Sequence, residues 1–321
     1  MAQAHKKSSE QEVSFPLTRN VWKNVDAFYR FSRAYTIIGS IVGPTSVSLL
    51  PLVSFDDLSP AFFAGLLQVM IPIILVNVYV VGINQVYDVD IDKVNKPNLP
   101  IASGEYSMET GKAIVSAFGL LSIITAFMSQ SPPVIYCLLV CFFFGTAYSI
   151  DVPLLRWKKN TYLAAISIVI VRAFTIQLAV YYHIQKYVLG RPVLFPRSLA
   201  FAIFCMSLIV TVIALVKDLP DVDGDRDFGM QTPTIILGKK RVFWLSITIL
   251  LIAYGSAVVI GASSSLLLSK LVTVTGHCIL ASILWFRALS VDLDSNKSTL
   301  SFYMFVWKLF YAEYLLIPFV R

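Results

Sequence analysis

Residues 61–83, AFFAGLLQVMIPIILVNVYVVGI, form an apolar run that leads directly into NQVYDVDIDK at 84–93. About 20 mostly apolar residues are enough for a helix to cross a bilayer. Asn84, Asp88 and Asp92 are spaced four apart, so they stack on one face if the helix continues. Polar groups at the mouth of a membrane helix are costly unless compensated. A divalent cation, which prefers carboxylate and amide oxygens, is the natural compensation.

A second acidic cluster repeats this arrangement far along the chain. The apolar run 199–216 leads into Lys217 and Asp218, followed by Asp221 and Asp225, which are again four apart. Eight of the 19 acidic residues lie in the two clusters, and such crowding raises carboxylate pKa values unless cations neutralise it. The two clusters predict a site for two metal ions and the anion that they bind. Mg²⁺ suits such a site because it is commonly shared with substrate phosphates.

The composition is that of a membrane protein, with 57% hydrophobic and 14% charged residues against about 25% charged in soluble domains. We therefore predict an all-α, polytopic integral membrane protein with nine transmembrane helices. The predicted spans are 35–55, 61–83, 111–127, 134–150, 162–182, 199–216, 242–261, 271–289 and 300–319. The net charge of +7 does not indicate nucleic-acid binding, because Lys and Arg in membrane proteins mostly mark which side a loop faces.

The loop charges place both acidic clusters on one side of the membrane. With nine spans, 19 of the 26 Lys and Arg residues fall on the side that also carries the clusters. The positive-inside rule assigns that side to the cytosol or to an equivalent compartment such as the stroma. A span, an acidic cluster and a glycine-bearing segment also recur four spans apart, which suggests two related halves.

The chain before the first span differs from the rest. Residues 1–13 are polar and predicted to be disordered, and they contain no apolar segment typical of a secretory signal. Residues 15–33 mix aromatic and basic side chains, as interfacial amphipathic segments do. We therefore divide the chain into a disordered or interfacial N-terminal segment, 1–33, and a single nine-helix domain, 34–321.

Basic residues beside the clusters point to a diphosphate as the bound anion. A diphosphate clamped by magnesium and ringed by Arg and Lys is a good leaving group, because developing negative charge is stabilised as its carbon–oxygen bond breaks. The basic residues near the clusters are Arg33, Lys93, Lys158, Arg172 and Lys217. The allylic cation formed would need a dry cavity with aromatic faces, which the 13% aromatic content permits.

The paired motifs resemble those of the UbiA superfamily of intramembrane prenyltransferases. The matching text is Asn-Gln-x-x-Asp-x-x-x-Asp from Asn84 and Lys-Asp-x-x-Asp-x-x-Gly-Asp from Lys217. DKVNKPNLP at 92–100 and GKKRVFW at 238–244 further resemble the plant branch that acts on homogentisate, flavonoids, coumarins and phenylpropanoids. The resemblance implies Mg²⁺-dependent transfer of a prenyl group from a prenyl diphosphate to a ring carbon of a phenolic acceptor. It also implies nine transmembrane helices around a central cavity, and a plastid membrane with the active site on the stromal side.

The resemblance assigns roles to individual residues. The catalytic and metal-binding positions of the two motifs are matched by Asn84, Asp88, Asp92, Asp221 and Asp225, with Asp218 as a further metal ligand. The diphosphate would be contacted by Arg33, Asn84, Lys93, Tyr148, Lys158, Arg172 and Lys217. The family's Arg-Pro-His-Thr is replaced here by Arg33-Ala34-Tyr35-Thr36, which points to a specialised acceptor or donor.

Two other functions stay open at this point. One is a different UbiA-type prenyl transfer, to a quinone or tetrapyrrole acceptor. The other is a non-enzymatic membrane protein that binds or transports cations through the same acidic residues. The acidic residues lie on one side of the membrane, which argues against a path through it.

Several residues also have simpler interpretations. Arg172 could pair with Glu313, and Tyr148 could be an interfacial anchor. Lys96, Lys239 and Lys240 are better explained as determinants of topology than as ligands. The aspartates outside the four-residue spacing are expected to be solvated, namely Asp90, Asp223 and Asp227.

Overall fold

The computed structural model describes residues 16–320, so the predicted disorder of 1–13 lies outside the described residues. Within this range the chain is helical and contains no β-strand, apart from one isolated bridge between Asn160 and Gln231. The helices are α1 (Pro16–Phe31), α2 (Ala34–Ser48), α3 (Pro60–Tyr87), α4 (Val89–Asn95), α5 (Met108–Met128), α6 (Pro132–Ser149), α7 (Thr161–Val188), α8 (Arg197–Val216), α9 (Val222–Asp227), α10 (Pro233–Leu237), α11 (Lys239–Ala262), α12 (Leu267–Leu289) and α13 (Asn296–Phe319).

The all-α membrane fold is confirmed. Eight helices of the described range are long and apolar enough to cross a membrane, namely α3, α5, α6, α7, α8, α11, α12 and α13. The first predicted span, 35–55, corresponds to the shorter helix α2, which has 15 residues. Pro51 follows closely, and proline disfavours helical geometry at the residue before it. The nine predicted spans thus correspond to these eight helices and α2.

Six helices surround the central cavity. Helix α2 packs on α3, α3 on α6, α6 on α7, α7 on α8, α8 on α13, and α13 closes the ring against α2. Outside this ring, α5 packs on α3, and α11 and α12 pack on each other, with α11 also against α8. The short helices α4 and α9 follow α3 and α8 and contact each other, so both acidic clusters lie at one end of the ring.

Helix α7 is irregular at the level of the cavity. Its segments Ile170–Thr175 and His183–Val188 are π-helical, and the helix extends to Val188 rather than ending at the predicted residue 182. Single π turns inside α-helices occur frequently at functional sites. Arg172 lies in the first of these segments.

Helix α1 leads into the ring. Arg30 anchors it through Nη2 to Glu105 Oε2 at 2.6 Å, and Phe31 is completely buried. Trp22 and Tyr29 remain exposed on the opposite side. The interfacial position of this segment stays a prediction.

A buried polar pair joins α12 and α13. His277 and Glu313 are fully buried and lie 3.2 Å apart, Nε2 to Oε1, while His277 Nδ1 lies 2.6 Å from the Thr273 carbonyl oxygen. Glu313 therefore pairs with His277 and not with Arg172, so the simpler interpretation of Arg172 was wrong.

We expect Glu313→Ala to destabilise the fold, because it leaves a buried imidazole nitrogen without its partner. The cost of an unpaired buried polar group is about 1–3 kcal/mol. Thermal unfolding of the detergent-solubilised protein should show a lower Tm for Glu313→Ala than for Glu313→Gln, which keeps an acceptor oxygen. Equal Tm values for Glu313→Ala and the wild type would contradict this expectation.

Candidate active site

The first acidic cluster forms where α3 ends. The helix does not continue through the cluster, because Asp88 leaves helical geometry (φ −112°, ψ 14°) and α4 begins at Val89. Asp88 and Asp92 nevertheless keep a helical relation, because the Asp92 N–H donates to the Asp88 carbonyl at 2.8 Å. Asn84 Nδ2 donates to Asp88 Oδ2 at 2.5 Å. Asn84, Asp88 and Asp92 therefore line the same cavity despite the break.

The second cluster repeats this local structure. Asp221 has φ −97° and ψ 5°, and α9 begins at the next residue, Val222. The Asp225 N–H donates to the Asp221 carbonyl at 2.9 Å. In both clusters an aspartate thus interrupts the helix and a second aspartate follows one turn later; the relation between two halves stays a prediction.

Helices α4 and α9 bring the two clusters together. Lys96 pairs with Asp221, and its Nζ lies 4.0 Å from Asp92 Oδ1. Asn95 Nδ2 donates to Asp225 Oδ1 at 3.2 Å, and Gly224 of α9 lies against the same amide. Carboxylates that are about 130 residues apart in sequence therefore face each other across one cavity.

Cations surround the carboxylates. Arg33 Nη2 donates to Asn84 Oδ1 at 3.0 Å, and Lys217 Nζ donates to Asp218 Oδ1 at 2.5 Å. Asp88 pairs with the buried Lys158, and Arg156 Nη2 lies 3.7 Å from Asp88 Oδ1. The cavity end that holds the clusters is therefore rich in both charges.

Two of these arginines have left-handed backbone conformations, which are uncommon for residues other than glycine. Arg33 (φ 47°) lies between α1 and α2, and Arg156 (φ 59°) precedes the short turn Trp157–Lys159 that carries Lys158. The sharp changes of chain direction at these positions orient basic side chains toward Asn84 and Asp88.

Arg172 lies deeper in the cavity than the other cations. Its Nη2 donates to Asn77 Oδ1 at 2.8 Å, and Asn77 Nδ2 donates to Thr36 Oγ1 at 2.8 Å. The guanidinium carbon lies 5.6 Å from the centre of the Trp307 ring, within cation–π distance. Arg172 thus has neutral partners, whereas Lys96, Lys158 and Lys217 at the cavity mouth each pair with an aspartate.

Almost all the predicted site residues line one cavity of about 270 Å³. Those that line it are Arg33, Asn84, Asp88, Asp92, Tyr148, Lys158, Arg172, Lys217, Asp218, Asp221 and Asp225. Its walls between the helices are mainly apolar, with Ile73 and Val76 from α3 and Ile168 and Val171 from α7.

Lys93 is the exception among the predicted residues. Its side chain is exposed and pairs with Asp90, Nζ to Oδ1 at 3.1 Å, outside the cavity lining. Adjacent helical residues point about 100° apart, so Lys93 cannot share the face of Asp92. We therefore remove Lys93 from the residues expected to bind diphosphate. Asp90, Asp223 and Asp227 are exposed as well.

Other residues reach the site although the sequence analysis did not assign them to it, and Lys96 was expected there only to determine topology. They are Lys96, Asn95, Arg156, Asn77, Tyr303 and Trp307. A signal existed for Lys96, which lies four residues after Asp92 and so shares its face. The positions of the remaining five at the site depend on the tertiary fold.

The electrostatics of the clusters fit bound cations. Burial, together with Asp218 and Asp221, raises the pKa of Asp225 to about 7, and burial also raises the pKa of Asp92. Asp92 Oδ2 is buried and has no hydrogen-bond partner among the described residues. Between residues 16 and 320, no three His, Cys, Asp or Glu side chains are grouped so as to hold a metal ion by themselves. Mg²⁺, which keeps waters and shares substrate phosphates, suits such separated carboxylate pairs.

The fold and the site together define a polytopic membrane protein with a polar, charge-rich mouth above an apolar cavity. The model of the UbiA prenyltransferase family matches residues 37–309. The chain is 51% identical over 298 residues to homogentisate phytyltransferase 1, chloroplastic, of Arabidopsis thaliana, covering 93% of this chain and 76% of that protein. It is 50% identical over 315 residues to coumarin 8-geranyltransferase 1, chloroplastic, of Citrus limon, covering 98% and 77%.

A solved structure shares the fold. The UbiA homolog from Archaeoglobus fulgidus bound to GPP and Mg²⁺ superposes with a TM-score of 0.61 at 16% identity, covering 91% of this chain and 99% of that one. The chain belongs to the UbiA prenyltransferase family. It is therefore a transferase, and a purely cation-transporting role no longer applies.

Proposed function

We propose that this protein transfers a prenyl group from a prenyl diphosphate to a ring carbon of a phenolic acceptor, with Mg²⁺ as cofactor. The observation that carries the proposal is the meeting of two aspartate clusters at the mouth of one cavity, where Lys96 joins Asp92 to Asp221. Metal ligands would come from Asn84, Asp88, Asp92, Asp218, Asp221 and Asp225. When bound, Mg²⁺ would supply positive charge that stabilises the departing diphosphate.

The protein's own cations share that task. Arg33, Lys158 and Lys217 line the cavity beside the carboxylates, where their N–H groups can donate to diphosphate oxygens. Such preorganised donors favour the transition state, because negative charge grows on the diphosphate as the carbon–oxygen bond breaks. Tyr148 and Asn84 add neutral donors at the same level.

The apolar walls below the mouth suit the prenyl chain and the cation that forms from it. Ile73, Val76, Ile168 and Val171 offer a hydrocarbon surface and leave little room for water, which would otherwise capture the cation. The electron pair of the acceptor ring forms the new carbon–carbon bond, the diphosphate departs with the electrons of the broken carbon–oxygen bond, and the ring carbon releases a proton.

The names of the relatives support a phenolic acceptor and a plastid membrane. They include enzymes named for homogentisate, for a coumarin and, at 44% identity, for naringenin in Sophora flavescens. Three of the relatives at about 50% identity are named chloroplastic. We propose a multi-pass protein of a plastid membrane with its cavity mouth toward the stroma. Quinone or tetrapyrrole acceptors remain the alternative within the same family.

A matrix of donors and acceptors in purified membranes tests the proposal. Dimethylallyl, geranyl, geranylgeranyl and phytyl diphosphates would each be combined with homogentisate, a coumarin, a flavanone, a quinone precursor and a tetrapyrrole. A prenylated product should form with a phenol, and the mass of that product identifies the donor and the acceptor. Formation of product with the tetrapyrrole alone would refute the proposal of a phenolic acceptor.

Removal of divalent metal should abolish turnover. Without a cation the crowded carboxylates would repel the diphosphate, so we expect activity to fall by about 100-fold or more in EDTA. Added Mg²⁺ should restore it, whereas added Ca²⁺, which is larger and takes more ligands, should restore less. Full activity after metal removal, checked by metal analysis of the sample, would contradict the magnesium requirement.

A further inference from the structure

We propose that residues 49–58, which join α2 to α3, lie in the membrane interface opposite the cavity mouth, insert apolar side chains between the lipids there and are held by an Arg191–Asp57 pair. Helices α2 and α7 run away from the mouth, and α3 and α8 run back toward it. The segment 49–58 and the connection 189–196 therefore both lie at the far end of the ring. This surface is separate from the active site, so it can be tested independently of prenyl transfer.

The far end of α2 falls short of the far end of α3. The hydrogen bond from Arg33 Nη2 to Asn84 Oδ1 aligns the start of α2 with Asn84 on α3. From Asn84 back to Pro60, α3 rises about 36 Å, whereas the 15 residues of α2 rise only about 22 Å. A hydrocarbon core is about 30 Å thick, so α2 ends inside it. Residues 49–58 therefore begin within the hydrocarbon and end at the far interface, beside Pro60.

The side chains of the segment suit lipid. From residue 34 to residue 55 the sequence contains no Asp, Glu, Lys or Arg, so the apolar character continues beyond α2. Val53 and Phe55 are 76% and 91% exposed. Three further large apolar side chains are exposed in the connection 189–196, namely Val193, Leu194 and Phe195. Exposed apolar patches mark surfaces that bind a partner, and lipid is the partner that surrounds the chain at this depth.

The backbone of the segment meets the conditions that bilayer depth imposes. Non-helical backbone within the hydrocarbon must be covered by protein, because lipid offers it no hydrogen bonds. Leu50 and Pro51, which lie nearest to α2, are buried. One of the ten residues is a proline, and seven of the nine backbone N–H groups have acceptors, namely those of Leu49, Leu50, Leu52, Val53, Ser54, Asp57 and Leu58. The exposed side chains come later in the segment, where the interface begins.

Arg191 and Asp57 fasten the segment to the connection between α7 and α8. Asp57 Oδ2 accepts from the Val53 N–H at 2.8 Å, and Asp57 Oδ1 accepts from Arg191 Nη2 at 2.6 Å. Arg191 Nη1 donates to the Pro51 carbonyl at 2.8 Å. Each charge is thus compensated by the other and by the backbone, as charged groups near the hydrocarbon require. The pair also joins the two connections, so their apolar side chains belong to one end of the molecule.

Nitroxide labels on the segment test the proposal with the protein in lipid nanodiscs. Val53→Cys and Phe55→Cys would be made in a Cys278→Ser background, since the other three cysteines are buried. The ratio of collision rates with oxygen, which concentrates in lipid, and with a water-soluble nickel chelate measures insertion. Leu120→Cys, exposed on α5, is the lipid reference, and Asp294→Cys, exposed between α12 and α13, is the water reference. We expect the ratios at 53 and 55 to exceed that at 294 several-fold and to approach that at 120.

The ion pair is tested with the label at position 55. Arg191→Gln leaves Asp57 without its cation, so the segment should move toward water and the ratio should fall several-fold. Lys186→Gln is the matched control, because Lys186 is an exposed cation at the same end that lies over the Tyr187 ring instead. It should leave the ratio unchanged. Equal ratios in Arg191→Gln and the parent protein would overturn the role of the pair.

Two results with the labels would overturn the lipid contact. Ratios at 53 and 55 equal to that at 294 would place the segment in water. Low collision rates with both reagents, together with magnetic coupling between labels, would assign the surface to a second copy of the chain. The wild-type protein gives an independent measurement, because a phospholipid with a diazirine on its acyl chain should crosslink to 49–58 on irradiation. Crosslinks on α5 without any on 49–58 would also overturn the proposal.

Discussion

Asp88→Asn and Asp221→Asn are each expected to lower kcat/KM for prenyl transfer by about 100-fold or more, as the loss of preorganised electrostatic stabilisation does in other enzymes. Each change removes one negative charge from one side of the cavity mouth. The cluster on that side would then bind the metal ion, and through it the diphosphate, more weakly. Asparagine nearly keeps the volume of aspartate. Initial rates of product formation at saturating acceptor, with Mg²⁺ varied, would measure both the loss and any shift in the metal concentration required.

Asp90→Asn is the matched control, because Asp90 lies on the same short helix but is exposed and pairs with Lys93 outside the cavity. It should retain wild-type turnover and Mg²⁺ dependence. Wild-type turnover in Asp88→Asn or Asp221→Asn would refute the proposed role of the paired clusters. Because Asp88 also neutralises the buried Lys158, Tm values should accompany the rates, and a fall in rate counts only where the variant remains folded at the assay temperature.

Helical periodicity explains why some residues predicted for the first cluster line the cavity and one of them does not. The four-residue spacing brings Asn84, Asp88 and Asp92 to one cavity. Lys93 was expected there because it adjoins Asp92 in sequence, but neighbouring helical residues diverge in direction. Lys96 has the right phase and bridges the two clusters. Applying the same spacing rule to the cations as to the carboxylates would have selected Lys96.

Other features could not be obtained from the pattern of apolar runs. Composition and run length predict where helices cross the membrane, and eight of the nine predicted spans are matched by helices long enough to do so. They do not determine side-chain partners across the bundle, such as Arg172 with Asn77 or Glu313 with His277. The left-handed backbone at Arg156, which helps to direct Lys158 inward, could not be predicted from the sequence either, because the segment contains no glycine.

The contact between α4 and α9 brings the two clusters together, and Gly224 leaves room there for the Asn95 side chain. A Cβ at this position would overlap the Asn95 side chain, with Cγ at 2.7 Å, closer than real Cβ contacts. Gly224→Ala should therefore displace the Asn95 side chain, break its hydrogen bond to Asp225 and misplace Asp225 against Asp92. Displacements of about 1 Å can cost 10²-fold in rate, so we expect a loss of about that size, measured as kcat at saturating donor, acceptor and Mg²⁺.

A double-variant cycle separates this steric effect from loss of stability. Asn95→Ala removes the atoms that a Cβ at position 224 would meet, at the cost of the hydrogen bond to Asp225. Adding Gly224→Ala to Asn95→Ala should then reduce activity far less than adding it to the wild type, because interacting neighbours are not additive. Gly255→Ala, in α11 with no atom within 4 Å of the new Cβ, is the control and should leave activity unchanged. Equal losses from Gly224→Ala in both backgrounds would show that close approach of the two helices is not what the glycine provides.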